Sequence, residues 1–182
     1  MKTRHIHIMG ASGSGTTTLG RALADRLGIP HHDTDDYYWL PTDPPYRDRR
    51  DVADRVRLMR EMFLGRDQWV LSGSLDGWGA QIVPYFDLVV LLSVPSEIRS
   101  RRLREREKHH FGNDAVAPGG WRYQETEEFI EWASHYDDGT REGRNRIRHE
   151  AWLATLHCPV VRLDGMQAID SLVDEIVTAL PD

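Results

Sequence analysis

The chain has 182 residues, 40% of them hydrophobic, which is enough for one domain with a real core. Its formal net charge of −6 excludes a general nucleic-acid binder, whose affinity would come from a basic face. With Cys158 the only cysteine there is no disulfide framework and no thiolate zinc site, and with no N-terminal signal or long apolar run the expectation is a soluble cytoplasmic protein without a membrane partner.

Residues 5–9, His5-Ile6-His7-Ile8-Met9, alternate in character and read as a buried first strand, with His5 and His7 packed on one face. Gly10, Ala11, Ser12, Gly13, Ser14, Gly15, Thr16, Thr17 and Thr18 follow. Then Leu19, Ala22, Leu23 and Leu27 mark one face of a helix that Gly28 and Pro30 stop. A glycine-rich loop in this position can curl its backbone N–H groups around a phosphate, at the positive end of the helix dipole. The spacing fits G-x-x-x-x-G-K-[ST] at every fixed place except one, where Thr16 stands for the lysine. An ordinary Gly/Ser turn is the plain alternative; the flanking strand and helix favour phosphate binding.

A short, weak strand is expected to end near His31-His32-Asp33. Asp33, Asp35 and Asp36 then lie just past a strand end, where open α/β sheets hold ligands, or else form a solvated turn with helix caps. Tyr37, Tyr38 and Trp39 could stack a base, wall off a small polar acceptor or pack the core. His31 and His32 suggest a metal pair, but neighbours in a chain rarely point the same way. Val52, Val56, Met59 and Phe63 mark a helix closed by Gly65, after a loop at 41–45. Apolar runs at Trp69-Val70-Leu71, 88–92 and Val160-Val161-Arg162-Leu163 read as buried parallel strands of a βα repeat. Asp76-Gly77-Trp78-Gly79 reads as a turn.

Ser96 is expected to cap a helix carrying Arg99, Arg101, Arg102, Arg104 and Arg106, with Ile98 and Leu103 to bury. Pairing with Glu97, Glu105 and Glu107 explains part of this charge. Arg99, Arg102 and Arg106 share one face, beside a loop at 111–120 that could close as a phosphate-binding lid. Two helices joined by Asp137-Asp138-Gly139 should follow, the first burying Phe129, Trp132, Ala133 and Tyr136 and the second starting near Arg141. Arg141, Arg144 and Arg148 are candidates either for the transferred phosphoryl group or for solvent. Ile169, Leu172, Val173, Ile176 and Leu180 form a last helix, stopped by Pro181.

The glycine loop, Asp33-Thr34-Asp35, the strand leading into Ser72-Gly73-Ser74, and Val94-Pro95-Ser96-Glu97 followed by Arg102 and Arg106 together resemble small P-loop kinases. That group contains adenylate kinase, shikimate kinase, gluconate kinase and the adenylate-kinase-related topology-modulation proteins. The resemblance implies a single domain over 1–182: a three-layer α/β P-loop NTPase fold with a parallel five-stranded sheet in the order 2-3-1-4-5, helices on both faces and a lid near 107–125. It implies ATP phosphates on Gly10 through Thr18, Mg2+ on Thr17 with Asp33, and nucleotide contacts from Arg102 and Arg106. Asp33 and Asp35 would hold acceptor hydroxyl or magnesium, Gly73 would approach the acceptor, and Asp164-Gly165 would lie beside the adenine.

Thr16 departs from that pattern. The family's lysine neutralises charge on the β- and γ-phosphates, and the loss of one such donor costs roughly 10²–10³ in rate when nothing replaces it. The 23 basic residues are all arginine except Lys2 and Lys108, so arginine is the plentiful replacement. The expected function is ATP- and magnesium-dependent phosphoryl transfer to a small polar acceptor by a monomer or homodimer, with catalysis by Asp33, Asp35, Arg106 and Arg144. The alternatives are a nucleotide-binding regulator with weak or no transfer, and a small NTPase.

Overall fold

The computed structural model describes residues 4–180; Lys2 and Pro181, which entered the sequence reading, lie outside them. The chain runs β1 (Arg4–Gly10), α1 (Thr16–Leu27), β2 (His31–Asp33), α2 (Thr34–Tyr38), α3 (Val52–Met59), β3 (Gln68–Ser72) and β4 (Leu88–Ser93). It continues through α4 (Ser96–Phe111), α5 (Asn113–Val116), α6 (Tyr123–Ser134), α7 (Arg146–Leu153), β5 (Val160–Asp164) and α8 (Ile169–Ala179). Two compact units result. The first holds residues 4–10, 15–92 and 156–180; the second holds 11–14 and 93–155, and the segment expected as a lid falls inside it.

In the first unit the strands form one sheet in the order β2-β3-β1-β4-β5, with parallel ladders between β2 and β3, β3 and β1, and β1 and β4. This is the parallel five-stranded P-loop fold expected from the sequence. Alternation along β1 sends Ile6 and Ile8 to one face, under Leu19 and Leu23 of α1 and Leu172, Val173 and Ile176 of α8. It sends His5 and His7 to the other. There His5 stacks on Trp69 at 4.6 Å between centroids and His7 on Phe86 at 4.9 Å.

Burial pushes the His7 imidazole down to about 4, against the opposing effect of its hydrogen bond to the Leu71 carbonyl. An unfolded His7 titrates near 6.5, so the unfolded state takes up its proton first as pH falls. Stability from this residue is therefore complete above pH 6.5 and declines towards pH 4, by about 3 kcal/mol in all. His7→Asn keeps an N–H for Leu71 and cannot titrate. It should flatten that decline in urea unfolding curves measured between pH 7 and pH 4; an unchanged slope would contradict the assignment.

The helix expected from Val52 to Phe63 differs in two respects. Val52 is 43% exposed, because it sits in the first turn behind Asp51, which caps the Ala53 N–H. After Met59 the chain widens into a π turn over Arg60–Leu64, and the extra residue lets adjacent Phe63 and Leu64 both go inside. Phe63 then meets His32 face to face at 4.1 Å and Trp69 edge-on at 5.1 Å.

In the second unit α4 packs on α6 through Leu103, Ile130 and Ala133, with Phe129 and Trp132 alongside. Arg99 is buried rather than presented to a ligand. Its guanidinium reaches the Val94 and Ala133 carbonyls and the Asp137 carboxylate and lies 5.2 Å from the Tyr136 ring. Ser96 is not the cap: Pro95 holds that place, and the Ser96 hydroxyl donates to the Ser134 carbonyl. The 111–120 loop contains the short α5. The helix expected near Arg141 begins instead at Arg146, where the Asn145 side chain caps the Arg148 N–H. Gly139 and Gly143, both at positive φ, keep the intervening chain out of helix. Among the described residues, no helix is long and apolar enough to cross a membrane.

Candidate nucleotide site

At the start of α1, Gly15 has φ 96° and ψ 21°, and no side chain caps the helix N-terminus. Thr17 follows in the first turn, and its hydroxyl donates to Asp33 Oδ2 at 2.6 Å. The Ser72 hydroxyl donates to the same oxygen at 3.1 Å, while Asp33 Oδ1 accepts the Asp35 N–H at 3.0 Å and so starts α2. Sheet register brings this about, because Asp33 pairs with Ser72 at the ends of neighbouring strands. Asp35 is exposed in the first turn of α2. Partial desolvation, then the neighbouring Asp33, raise the Asp36 carboxyl.

The paired histidines separate. His31 Nε2 contacts Ser72 Oγ at 2.9 Å, whereas His32 Nδ1 meets the Tyr37 hydroxyl at 2.9 Å. Burial lowers His31, opposed by Asp33, and burial with neighbouring His31 takes His32 to about 4. Among the described residues no group of three or more His, Cys, Asp or Glu is placed to hold a metal ion. Gly73, expected to approach an acceptor, packs on Thr34, whose Oγ1 lies 2.0 Å from where a Cβ would stand.

Of the three aromatics after Asp36, Tyr37 belongs to the core at 5% exposure, with burial pushing its hydroxyl up to about 12. Tyr38 and Trp39 are half-buried. The sequence reading missed Arg55. It is 6% exposed, 3.8 Å from the Tyr38 ring centroid and 5.3 Å from that of Trp78, with Nε donating to the Arg50 carbonyl. Its position four residues before Met59, on the buried stripe of α3, was the available signal. Gly165 lies in the turn after β5, where Asp164 accepts the N–H groups of Met166 and Gln167.

The crown of the loop belongs to the second unit. Gly13 has φ 80°, and a Cβ there would meet the Arg99 carbonyl at 2.8 Å, so this position stays glycine to lie on α4. Ser14 is 2% exposed and its buried Oγ has no hydrogen-bond partner within the protein. Arg102 Nη1 donates to the Ser14 carbonyl at 3.3 Å. Arg144 Nη2 donates to Ser12 Oγ at 2.5 Å, and its guanidinium lies 5.4 Å from the Trp132 ring. The Trp132 indole N–H pins the Glu142 carbonyl, two residues away.

Arg106 does not join them. One turn beyond Arg102, its guanidinium lies over Phe129 at 5.6 Å and near Glu107. Arg141 is exposed beside Glu131, and Arg148 is exposed on α7. Within the first unit, a left-handed Gly15 at an uncapped helix N-terminus and the Thr17–Asp33 pair fit a bound phosphate with a hard cation.

The AAA domain family matches residues 6–128 of this sequence. The chain belongs to that family. It is 43% identical over 177 residues, 97% of each chain, to the Bacillus subtilis (strain 168) protein named "Uncharacterized protein YqaC". It is 33% identical over 117 residues to a cytidylate kinase of Halobacterium salinarum, covering 56% of this chain and 58% of that one. A gluconokinase structure from Sinorhizobium meliloti superposes over 96% of this chain and 90% of its own, with a TM-score of 0.52 at 20% identity, a likeness of fold. The family is thus one of P-loop kinases, as the sequence motifs implied.

Proposed function

We propose that this chain transfers the γ-phosphoryl group of ATP to a small anionic acceptor, in the cytoplasm. The observation that carries the reading is the Thr17–Asp33 hydrogen bond in the first turn after the left-handed Gly15, at an uncapped helix N-terminus. Gly10 through Thr18 would receive the nucleotide phosphates and Gly165 the base, while Thr17 and Asp33 would hold Mg2+. Magnesium bound there would neutralise charge on the phosphoryl oxygens.

Asp33 accepts three hydrogen bonds, so it is a poor candidate for taking a proton from the acceptor. That leaves Asp35, exposed two residues on, to orient or deprotonate the acceptor hydroxyl. Arg55, near the Tyr38 and Trp78 rings and in the same unit as both aspartates, supports an acceptor that carries negative charge, such as a nucleoside monophosphate or a sugar acid.

Thr16 brings no charge, and Arg102 and Arg144 already touch the loop crown. We assign the missing cation to Arg144, which the pinned 142–144 segment holds in place. Arg144→Ala should lower kcat about 10²-fold while raising KM far less, because the contact strengthens as charge moves. Thr16→Lys should restore part of that loss. Steady-state kinetics of the parent, Arg144→Ala, Thr16→Lys and the double variant test this; parental kcat in Arg144→Ala would remove it from the reaction.

A second reading, nucleotide binding without efficient transfer, draws on Thr16 alone. Thermal shift separates the two: ATP, GTP and AMP with magnesium first, then cytidine monophosphate and gluconate as acceptors, since a bound ligand raises the melting temperature by mass action. The kinase reading expects shifts from nucleotide and from an acceptor. Shifts from nucleotide alone favour the second reading.

A further inference from the structure

Asp33 Oδ2 receives two hydroxyl protons, from Thr17 at 2.6 Å and from Ser72 at 3.1 Å. A serine hydroxyl has one hydrogen to give. With that hydrogen on Asp33, the 2.9 Å contact between Ser72 Oγ and His31 Nε2 must run the other way, with the imidazole N–H donating to the serine lone pair. His31 thereby fixes the rotation of the Ser72 hydroxyl, and Ser72 fixes one oxygen of Asp33.

The surroundings are built to hold this chain of bonds. Ser72 is fully buried. His31 and Asp33 sit in register opposite Val70 and Ser72, so the ladder clamps both ends. On the α1 side Gly20 clears the space: a Cβ there would stand 2.7 Å from His31 Nε2 and 3.2 Å from Ser72 Cβ.

We propose that His31 and Ser72 are positioning residues, forming a relay that sets which way the Thr17 hydroxyl faces and so governs magnesium use at the loop; this rests on the kinase reading. When Asp33 holds the Thr17 hydrogen, both lone pairs of that hydroxyl remain for a cation. Without His31, no donor anchors the Ser72 oxygen, and the hydroxyl's bond to the carboxylate is held less firmly. Asp33 then loses a fixed donor, and Thr17 loses its fixed partner. Neither His31 nor Ser72 touches substrate; both act through Asp33, as partners behind a metal ligand do.

The test is the dissociation constant of ATP with and without Mg2+, measured by calorimetry on the parent, His31→Leu, His31→Gln, Ser72→Ala and the His31→Leu/Ser72→Ala double variant. In the parent, magnesium should tighten ATP binding. His31→Leu and Ser72→Ala should each cut that tightening about tenfold and leave metal-free affinity unchanged. His31→Gln, which keeps a side-chain N–H, should retain it, and the double variant should be no worse than either single one because they act in series.

A role in packing alone would lower the melting temperature and leave the magnesium effect intact, which would overturn the relay, as would additive losses in the double variant. Should His31→Leu fail to fold, Gly20→Ala presses on the same ring and Ser72→Ala cuts the same chain; a parental magnesium effect in both overturns the proposal. If ATP binds the parent without regard to magnesium, the relay fails and nucleotide binding stands. A parent that binds no ATP sinks the proposed function itself.

Discussion

Asp33→Asn should lower turnover by about 10² or more while the melting temperature falls only a few degrees. The substitution is nearly isosteric, but an amide presents a donor where the carboxylate accepts. Oδ1 can still receive the Asp35 N–H, which leaves the NH2 group facing the Thr17 and Ser72 hydroxyls, both of them donors in the parent. Both must rotate to accept, and the Thr17 lone pair proposed for magnesium is consumed. The alternative amide rotamer keeps the hydroxyl bonds and gives up the cap of α2. Either loss costs about 1–2 kcal/mol, a shift of a few degrees for a chain of this length. Kinetics on an identified acceptor, with a melting curve alongside, check this; an Asn variant with parental turnover would remove Asp33 from the mechanism.

Gly15→Val should abolish nucleotide binding, weakening it by at least about 10²-fold. At φ 96° a β-branched residue is strained, so the loop must change its path at the point where α1 begins. A branched side chain also fills the space into which the backbone must admit a phosphate. The hydrophobic layer of Leu19 and Leu23 lies further along α1, so the fold should survive with reduced stability. A calorimetric titration with Mg–ATP, paired with circular dichroism, measures both quantities. Parental affinity in this variant would mean that the loop is only a turn.

The sequence was most legible where burial is continuous. The apolar runs became β3, β4 and β5, and the alternation along β1 divided isoleucines from histidines as its period requires. The glycine spacing located the loop because backbone conformation there tolerates few residue types. Legibility failed where long polar side chains decide the outcome. Arg99, Arg102 and Arg106 share a helical face, yet one is buried against carbonyls, one reaches Ser14 and one lies over Phe129. Spacing gives the direction of a Cα–Cβ bond, and a flexible stem several ångströms long chooses its own partner. Arg144 stands on a loop and not in the helix expected from near Arg141, because Gly139 and Gly143 are left-handed there and α7 starts only at Arg146. The relay through Ser72 depends on strand register, which no local pattern reports.

Phosphorus NMR of the parent with Mg–ATP directly reads phosphoryl transfer by a loop that lacks its lysine. With cytidine monophosphate or gluconate present, the account expects ADP and a new phosphorylated-acceptor resonance to grow in equal amounts, with far slower ADP formation when the acceptor is omitted. ADP and inorganic phosphate forming at one rate with or without an acceptor would mark a hydrolase, and no turnover of bound ATP with either acceptor would contradict the claim.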